Sequence, residues 1–430
     1  MNHLYNAGIR LYRQAARLAA TRSPKVKRML RGQRETFRRL KAFRMKLAPA
    51  GFDVWFHVAS LGEFEQARPL IEAILAEKPE LHILVSFFSP SGYDVRCHYN
   101  PKVAVVYLPF DLPDLVSDFL DVANPKMAIF VKYEFWGNYL GELHRRGIPV
   151  YIISAIFRKN QVFFKPWGSM FRRMLSCFNY LYVQDENSRK LLEGIGVSGN
   201  VAVVGDTRFD RVMSIRQSES RNEPVETFIS ASQSGRKPFV LVIGSSWEAD
   251  EDVYIPWLEA HTDVKAVIAP HEFDADRLYR LRSRLGSDVT MLLSDFVRLC
   301  ETDPVVARAR AASLRVLIVD CYGLLSTLYR YADVAYVGGG FGTGIHNINE
   351  AAVFGCPVVF GPKHRKFNEA RDLIACGGAF SIDGPKTFAR RMNLFLNSPE
   401  ALVEAGRAAG SYIKSNVGAT PRILHDLFDI

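Results

Sequence analysis

Residues 332–362, ADVAYVGGGFGTGIHNINEAAVFGCPVVFGP, bring together groups that could hold a nucleotide. An apolar run ending at Val337 reads as a buried parallel strand. Gly338, Gly339 and Gly340 then permit a tight turn and leave room for a ligand beside the backbone. The spacing predicts a helix starting at His346–Asn347, with Glu350 one turn further on, and a following strand over 357–360. A helix opening toward a glycine turn favours phosphate, because its free N–H groups and dipole attract negative charge. A carboxylate one turn into that helix can take both hydroxyls of a ribose. The missing G-x-G-x-x-G spacing and the late position argue against a dehydrogenase. A second candidate lies in residues 54–66, VWFHVASLGEFEQ. A buried strand there runs into Ala59-Ser60-Leu61-Gly62, and Glu63 stands where the next helix begins. A carboxylate on such a turn, facing a cleft between domains, can act as a general base. It can equally stabilise the positive end of the helix dipole, and position alone leaves both roles open.

Both candidates need parallel strands to place them, and the chain supplies two series. Strands are expected at 54–58, 82–86, 103–107, 127–131, 150–153 and 180–183, with helical patterns at 65–77, 112–120 and 188–195 between them. A polar stretch at 214–237 interrupts the alternation. Further strands follow at 239–243, 264–269, 315–319, 334–337 and 358–360. Strand–helix alternation implies α/β architecture with doubly wound parallel sheets, whose ligands bind beyond the carboxyl ends of the strands. The expected organisation is a basic helical arm at 1–50, a first Rossmann-like domain at 51–213, a linker at 214–237 and a second Rossmann-like domain at 238–398. Helices over 399–430 are expected to pack back across the junction.

At 430 residues the chain is long for one core, and 48% hydrophobic with 23% charged residues is ordinary for an α/β protein. Its six cysteines (97, 177, 300, 321, 356 and 376) are scattered without a C-x-x-C pair, and its ten histidines form no metal motif. No metal and no disulfide framework are expected. The net charge of +10 is concentrated at one end: residues 1–50 hold 14 Lys/Arg against Glu35 alone. At helical spacing Leu4, Tyr5, Leu11, Tyr12, Ala15, Leu18 and Ala19 fall on one side, and Arg10, Arg13 and Arg17 on the other. With no apolar run long enough to span a bilayer, such a helix fits an anionic membrane surface. Lys25, Lys27, Arg28, Arg31, Arg34, Arg38 and Arg39 add attraction. Packing on the protein's own surface and nucleic-acid binding are the alternatives. Membrane association is favoured over both, and no nucleic acid is expected as a partner.

Ser60-Leu61-Gly62-Glu63, Gly205–Asp210 (GDTRFD), Gly244–Glu251 (GSSWEADE) and HNINE at 346–350 together resemble the Kdo transferases, which transfer 3-deoxy-D-manno-octulosonic acid in lipopolysaccharide assembly. The similarity runs from about residue 50 to 375. It implies a GT-B fold, two Rossmann-like domains facing a central cleft. The donor implied is CMP-Kdo, and the acceptor lipid A or its tetra-acylated precursor. Inversion at the anomeric carbon without a metal or other cofactor, at the cytoplasmic face of the inner membrane, is also implied. The resemblance makes Glu63 the base, with Ser60 and Gly62 in its loop, and matches Glu134 of YEFWGN to a second family glutamate. A salt bridge with Lys132 or a nearby arginine is the other reading of Glu134.

Arg208 stands where the family carries lysine, and its planar fork suits phosphate or carboxylate. An ion pair with Asp206 or Asp210 is its alternative. Ser245 and Ser246 follow a strand and could meet the phosphate; His271 could contact the nucleotide, or serve the structure alone. Gly323 could start a helix approaching the phosphate, or mark an ordinary turn. Asn347 and Glu350 match the family without substitution. Trp247, Pro270 and Leu324 depart from the family pattern, and Arg277 could replace the charge lost at 270. Two other functions fit parts of the pattern. One is a different GT-B enzyme, such as another glycosyltransferase or a nucleotide-sugar epimerase. The other is an inactive membrane-associated nucleotide-binding scaffold.

Overall fold

The structure, a computed structural model, describes residues 3–219, 221–232, 235 and 237–429. Its chain divides into two units, Met1–Arg211 with Val417–Ile430, and Val212–Asn416. The first is built on seven strands: β1 (Val54–Val58), β2 (Ile83–Phe87), β3 (Val103–Tyr107), β4 (Met127–Val131), β5 (Val150–Ala155), β6 (Tyr180–Val183) and β7 (Val201–Val203). All pair in parallel, in the order β3-β2-β1-β4-β5-β6-β7. Alternate residues of β1 feed opposite cores: Val54, Phe56 and Val58 join one apolar cluster, and Trp55 joins the other. A sheet buried on both faces explains why its strands read as continuous apolar runs.

Two helices precede this sheet, α1 (His3–Ala19) and α2 (Pro24–Leu47). Ser23 caps α2 by accepting the Val26 N–H, and Pro24 occupies its first turn, where the missing N–H costs nothing. The basic sequence of α2 hides a docked face. Its Thr36 hydroxyl donates to Tyr107 O at 2.8 Å and Gln33 Nε2 to Leu108 O at 2.9 Å, so α2 covers the edge strand β3. Helix α3 (Leu61–Glu77) follows β1 directly. The last helix, Ala419–Phe428, returns to this unit, where Ala419, Ile423, Leu424 and Phe428 enter the core beside α3 residues. Asp210 holds its start by accepting the Gly418 and Thr420 N–H groups at 2.6 and 2.7 Å.

The second unit repeats the plan with β8 (Phe239–Ser246), β9 (Val264–Pro270), β10 (Thr290–Leu292), β11 (Val316–Ile318), β12 (Val334–Val337), β13 (Val358–Phe360) and β14 (Ala379–Ser381). Their order is β10-β11-β9-β8-β12-β13-β14, again parallel. Within the stretch 214–237, the helix Glu223–Ser230 buries Val225 and Phe228 in this unit. Lys265 Nζ donates to Phe228 O at 2.6 Å, and the Asn222 N–H donates to the Tyr331 hydroxyl at 2.8 Å. Residues 220, 233, 234 and 236 of that stretch lie outside the described residues. The helix Pro399–Asn416 belongs to this unit, and only the final helix to the first.

Each strand order reverses once: β1 lies between β2 and β4, and β8 between β9 and β12. Loops diverge at such reversals and leave a crevice beyond the carboxyl ends of the strands. At these ends Glu63 stands in the first turn of the helix after β1, Glu134 follows β4, Ser245 and Ser246 close β8 with Trp247 next, and Gly338–Gly340 follow β12. This is the two-unit parallel α/β architecture of the GT-B fold.

Candidate active site

Glu63 sits in the first turn of α3, three residues after the N-cap Ser60. Its Oε2 accepts the Ala59 N–H at 2.6 Å and the Ser60 N–H at 3.1 Å, closing the helix start as a capping interaction. Oε1 has no hydrogen-bond partner among the described residues, so one oxygen anchors the side chain and the other is left for chemistry. Burial pushes the Glu63 carboxyl above the usual range, and the charge on Glu134 pushes it further. The Ala59 N–H, His57 and the Ser60 N–H pull the other way without cancelling the rise. A carboxylate with raised proton affinity is a stronger base.

Glu134 is buried at the end of a turn that begins with Lys132 at φ 64°. Such a conformation is costly for a non-glycine residue and persists where the surroundings enforce it. Glu134 Oε2 receives the Trp136 indole N–H at 2.6 Å and lies 2.9 Å from His57 Nε2. On the ring's other side His57 Nδ1 lies 2.9 Å from Ser86 Oγ, which also accepts the Trp55 indole N–H at 2.8 Å. His57 and Ser86 are register partners on β1 and β2. A continuous polar chain, Trp55–Ser86–His57–Glu134–Trp136, therefore runs through an otherwise apolar core. A buried charge of this kind requires such satisfaction. Sequence reasoning missed His57, which looked like one more residue of a buried strand; its signal was a polar side chain inside an apolar run.

Arg208 is paired locally: its Nε and an Nη lie 2.9 and 2.8 Å from Asp206 Oδ2. Asp206 is buried and also accepts the Gln66 amide at 3.0 Å. Burial pushes the Asp206 carboxyl up, but the Arg208 charge and these hydrogen bonds bring it below the usual range. Of the readings open for Arg208, the structure realises the ion pair with Asp206. Gly62 is exposed, and a Cβ there would meet only Ser60 Oγ, at 4.0 Å.

In the second unit, β8 ends in an irregularity at Ser245, whose φ is 52°. Ser246 is buried; its hydroxyl lies 3.5 Å from the Tyr254 hydroxyl, and its carbonyl accepts the His271 N–H. Asp250 ties this turn to the glycine turn. Its Oδ2 accepts the Trp247 and Gly339 N–H groups at 2.9 and 3.0 Å, and its Oδ1 accepts the Tyr336 hydroxyl at 2.7 Å. The glycines are sterically required: a Cβ on Gly338 would meet Ser245 O at 2.4 Å, and Gly339 has φ +90°. Asp250 lies within the GSSWEADE segment, and its role is not legible there because two of its three partners, Tyr336 and Gly339, are 86 and 89 residues away.

The helix expected from His346–Asn347 starts later and is a single turn, Asn349–Ala352. Asn347 Oδ1 instead accepts the Asn349 N–H at 3.2 Å, holding residue 347 outside the helix. A one-turn helix carries little macrodipole, so any phosphate grip here comes from the glycine turn and side chains. Asn347 Nδ2 donates to Glu350 Oε1 at 2.8 Å, which orients that carboxylate. Gly323, at φ +90°, lies in an open turn before the short helix Leu325–Leu328. His271 is exposed and stacks on Trp247 and His346. Arg277 supplies no charge to this region: it is buried and paired with Glu251. Among the described residues no three His, Cys, Asp or Glu side chains form a metal-binding group.

Residues 27–211 match the family described as 3-deoxy-D-manno-octulosonic-acid transferase (kdotransferase). A 3-deoxy-D-manno-octulosonic acid transferase from Bordetella pertussis is 26% identical over 408 residues, covering 89% of this chain and 88% of the relative. The corresponding Rickettsia felis protein is 26% identical over 359 residues, covering 81% of this chain and 72% of the relative. By these matches the chain is similar to the Kdo transferases along most of its length. Solved structures agree on the fold: a Neisseria meningitidis UDP-GlcNAc 2-epimerase superposes with TM-score 0.61 at 14% identity, over 88% of this chain and 100% of that one. MurG from Acinetobacter baumannii gives 0.53 at 14% identity, over 88% and 100% respectively.

Proposed function

We propose that this chain transfers Kdo from CMP-Kdo to lipid A or its tetra-acylated precursor, with inversion and without a metal. The reading is carried by Glu63, anchored through one oxygen and raised in proton affinity, in a chain whose residues 27–211 match the Kdo transferases. Glu63 Oε1 takes the proton from an acceptor hydroxyl as that oxygen bonds to the Kdo anomeric carbon. The bond from that carbon to the CMP phosphate breaks, and the electron pair leaves with CMP. Glu134 raises the basicity of Glu63, while His57 and Trp136 hold Glu134 in place. The glycine turn with Asn347 and Glu350, and the turn at Ser245–Ser246, hold the nucleotide. Incubation with CMP-Kdo and lipid A precursor in the presence of EDTA tests this reading. Stoichiometric CMP release supports it, and no release overturns it. The likeness to epimerases is one of fold and gives no argument for epimerisation.

The pH profile follows from the Glu63–Glu134 coupling. A base must be unprotonated, so kcat/KM falls as pH drops through the Glu63 pKa, and a raised pKa places that limb above an ordinary glutamate's. Glu134→Gln removes the charge that assists the rise, so the acid limb should move to lower pH. An unmoved limb, or one moved upward, contradicts the role given to Glu134.

The same proposal places the enzyme at the cytoplasmic face of the inner membrane through α1. Among the described residues no helix is long and apolar enough to cross a membrane. The apolar side of α1 is divided. Tyr5 turns inward, its hydroxyl donating to Asp111 Oδ2 at 2.6 Å, and Tyr12 packs near Phe88 and Phe110. Leu4, Leu11 and Leu18 form a seven-residue-spaced stripe, 75%, 73% and 74% exposed, and the basic residues of α2 from Lys25 to Arg39 are also exposed. A Leu11→Glu/Leu18→Glu variant should bind vesicles containing anionic phospholipid at least ~10-fold more weakly, from the apolar area withheld. Unchanged co-sedimentation would remove α1 as the membrane contact.

A further inference from the structure

Trp247, His271 and His346 reach one place from three parts of the second unit. They come from the N-cap of helix Glu248–Ala260, the position after β9, and the loop after the glycine turn. The His271 ring stacks on both others, at 4.5 Å and 29° to Trp247 and 4.4 Å and 27° to His346. Trp247 Nε1 lies 3.3 Å from His346 Nε2. An indole N–H only donates, so Nε2 must be the bare nitrogen, and the proton of the neutral imidazole then resides on Nδ1. A second proton could go only to Nε2, where it would face the indole N–H.

The surrounding charges agree with a neutral ring. Burial, then the facing His271, lower His346 to about 4, against a smaller opposing pull from Asp250. Asp250 is itself committed to Tyr336, Trp247 and Gly339. Nδ1 of His346 has no hydrogen-bond partner among the described residues, and it is not sealed from solvent. The ring itself lies beside the glycine turn: the His346 N–H donates to Gly338 O, and a Cβ on Gly339 would stand 3.0 Å from Cδ2 and 3.2 Å from Nε2.

We infer that Trp247 is a positioning residue that locks His346 as its Nδ1–H tautomer, so that the ring offers a neutral hydrogen-bond donor to a phosphate oxygen of a nucleotide held at the glycine turn. The inference rests on the reading of this unit as the nucleotide-binding half. Such a donor keeps its proton through the range where a free imidazole titrates, so the grip does not change between about pH 5 and 8.

Histidine-selective 15N labelling of the full chain, with His346→Phe to assign the signal, reads the tautomer directly. Wild type should show protonated Nδ1 and bare Nε2. Trp247→Phe keeps an aromatic ring against His271 but removes the donor, so the Nε2–H form should appear. Affinity for CMP alone should fall about fivefold in Trp247→Phe, the effect of one neutral hydrogen bond, and should not fall further when Trp247→Phe is added to His346→Phe. A wild-type ring protonated on Nε2 overturns the lock, and that measurement stands whether or not the variants fold. Equal weakening by Trp247→Phe in both backgrounds overturns it too. If wild type binds no CMP, the nucleotide reading fails, while the spectrum still decides the tautomer.

Discussion

Glu63→Gln should lower Kdo transfer by about 10³-fold, within the usual span for loss of a general base, while leaving the fold intact. The amide oxygen can still accept the Ala59 and Ser60 N–H groups that Oε2 now holds, so the start of α3 survives. Glu63→Ala removes base and cap together. It should match the Gln variant in rate but lose about 1 kcal/mol of stability besides, the usual worth of a helix cap. Urea midpoints and transfer rates measured on both variants separate the two roles of this residue. A Gln variant that retains a tenth of the wild-type rate would end the assignment of Glu63 as base. Abolished transfer with CMP affinity retained would dismiss the inactive-scaffold reading.

Asp250→Ala should have the largest structural effect in the second unit. One carboxylate satisfies the Trp247 N–H, the Gly339 N–H and the Tyr336 hydroxyl, and both Asp250 and Tyr336 are buried. Alanine leaves these donors without a partner, and a buried unsatisfied donor costs about 1–3 kcal/mol. A loss of about 3 kcal/mol or more is therefore expected in urea unfolding monitored on this unit. Because Asp250 joins the turn after β8 to the glycine turn after β12, CMP affinity should fall with it. Asp250→Asn, which keeps an acceptor oxygen, should recover part of both. A stable Asp250→Ala protein that binds CMP as wild type does would show that this tie does not shape the site.

Legibility in the sequence followed length and periodicity. Strands β1, β3, β4 and β12 were readable to the residue because each is an apolar run bounded by turn residues. By contrast, β7, β10 and β14 have three residues each and no pattern of their own, so they pass as loops. The helix at Glu350 was placed too early because Asn347 looks like an N-cap, whereas its amide oxygen bonds two residues ahead and delays the helix. On α1 one apolar face was visible, but not its division between the protein and the outside, since Tyr5 meets an aspartate 106 residues away. Glu63, Glu134, Asn347 and Glu350 carried enough local context to be singled out. His57 and Asp250 did not, because their partners lie on other strands and only the folded sheets bring them together.

The central claim, that this chain moves Kdo onto a lipid A precursor, is tested most directly by product mass. Full-length protein, CMP-Kdo and tetra-acylated lipid A precursor should yield lipid heavier by whole Kdo residues, with CMP released in equal number. Lipid of unchanged mass, or CMP released without lipid gain, would contradict the account.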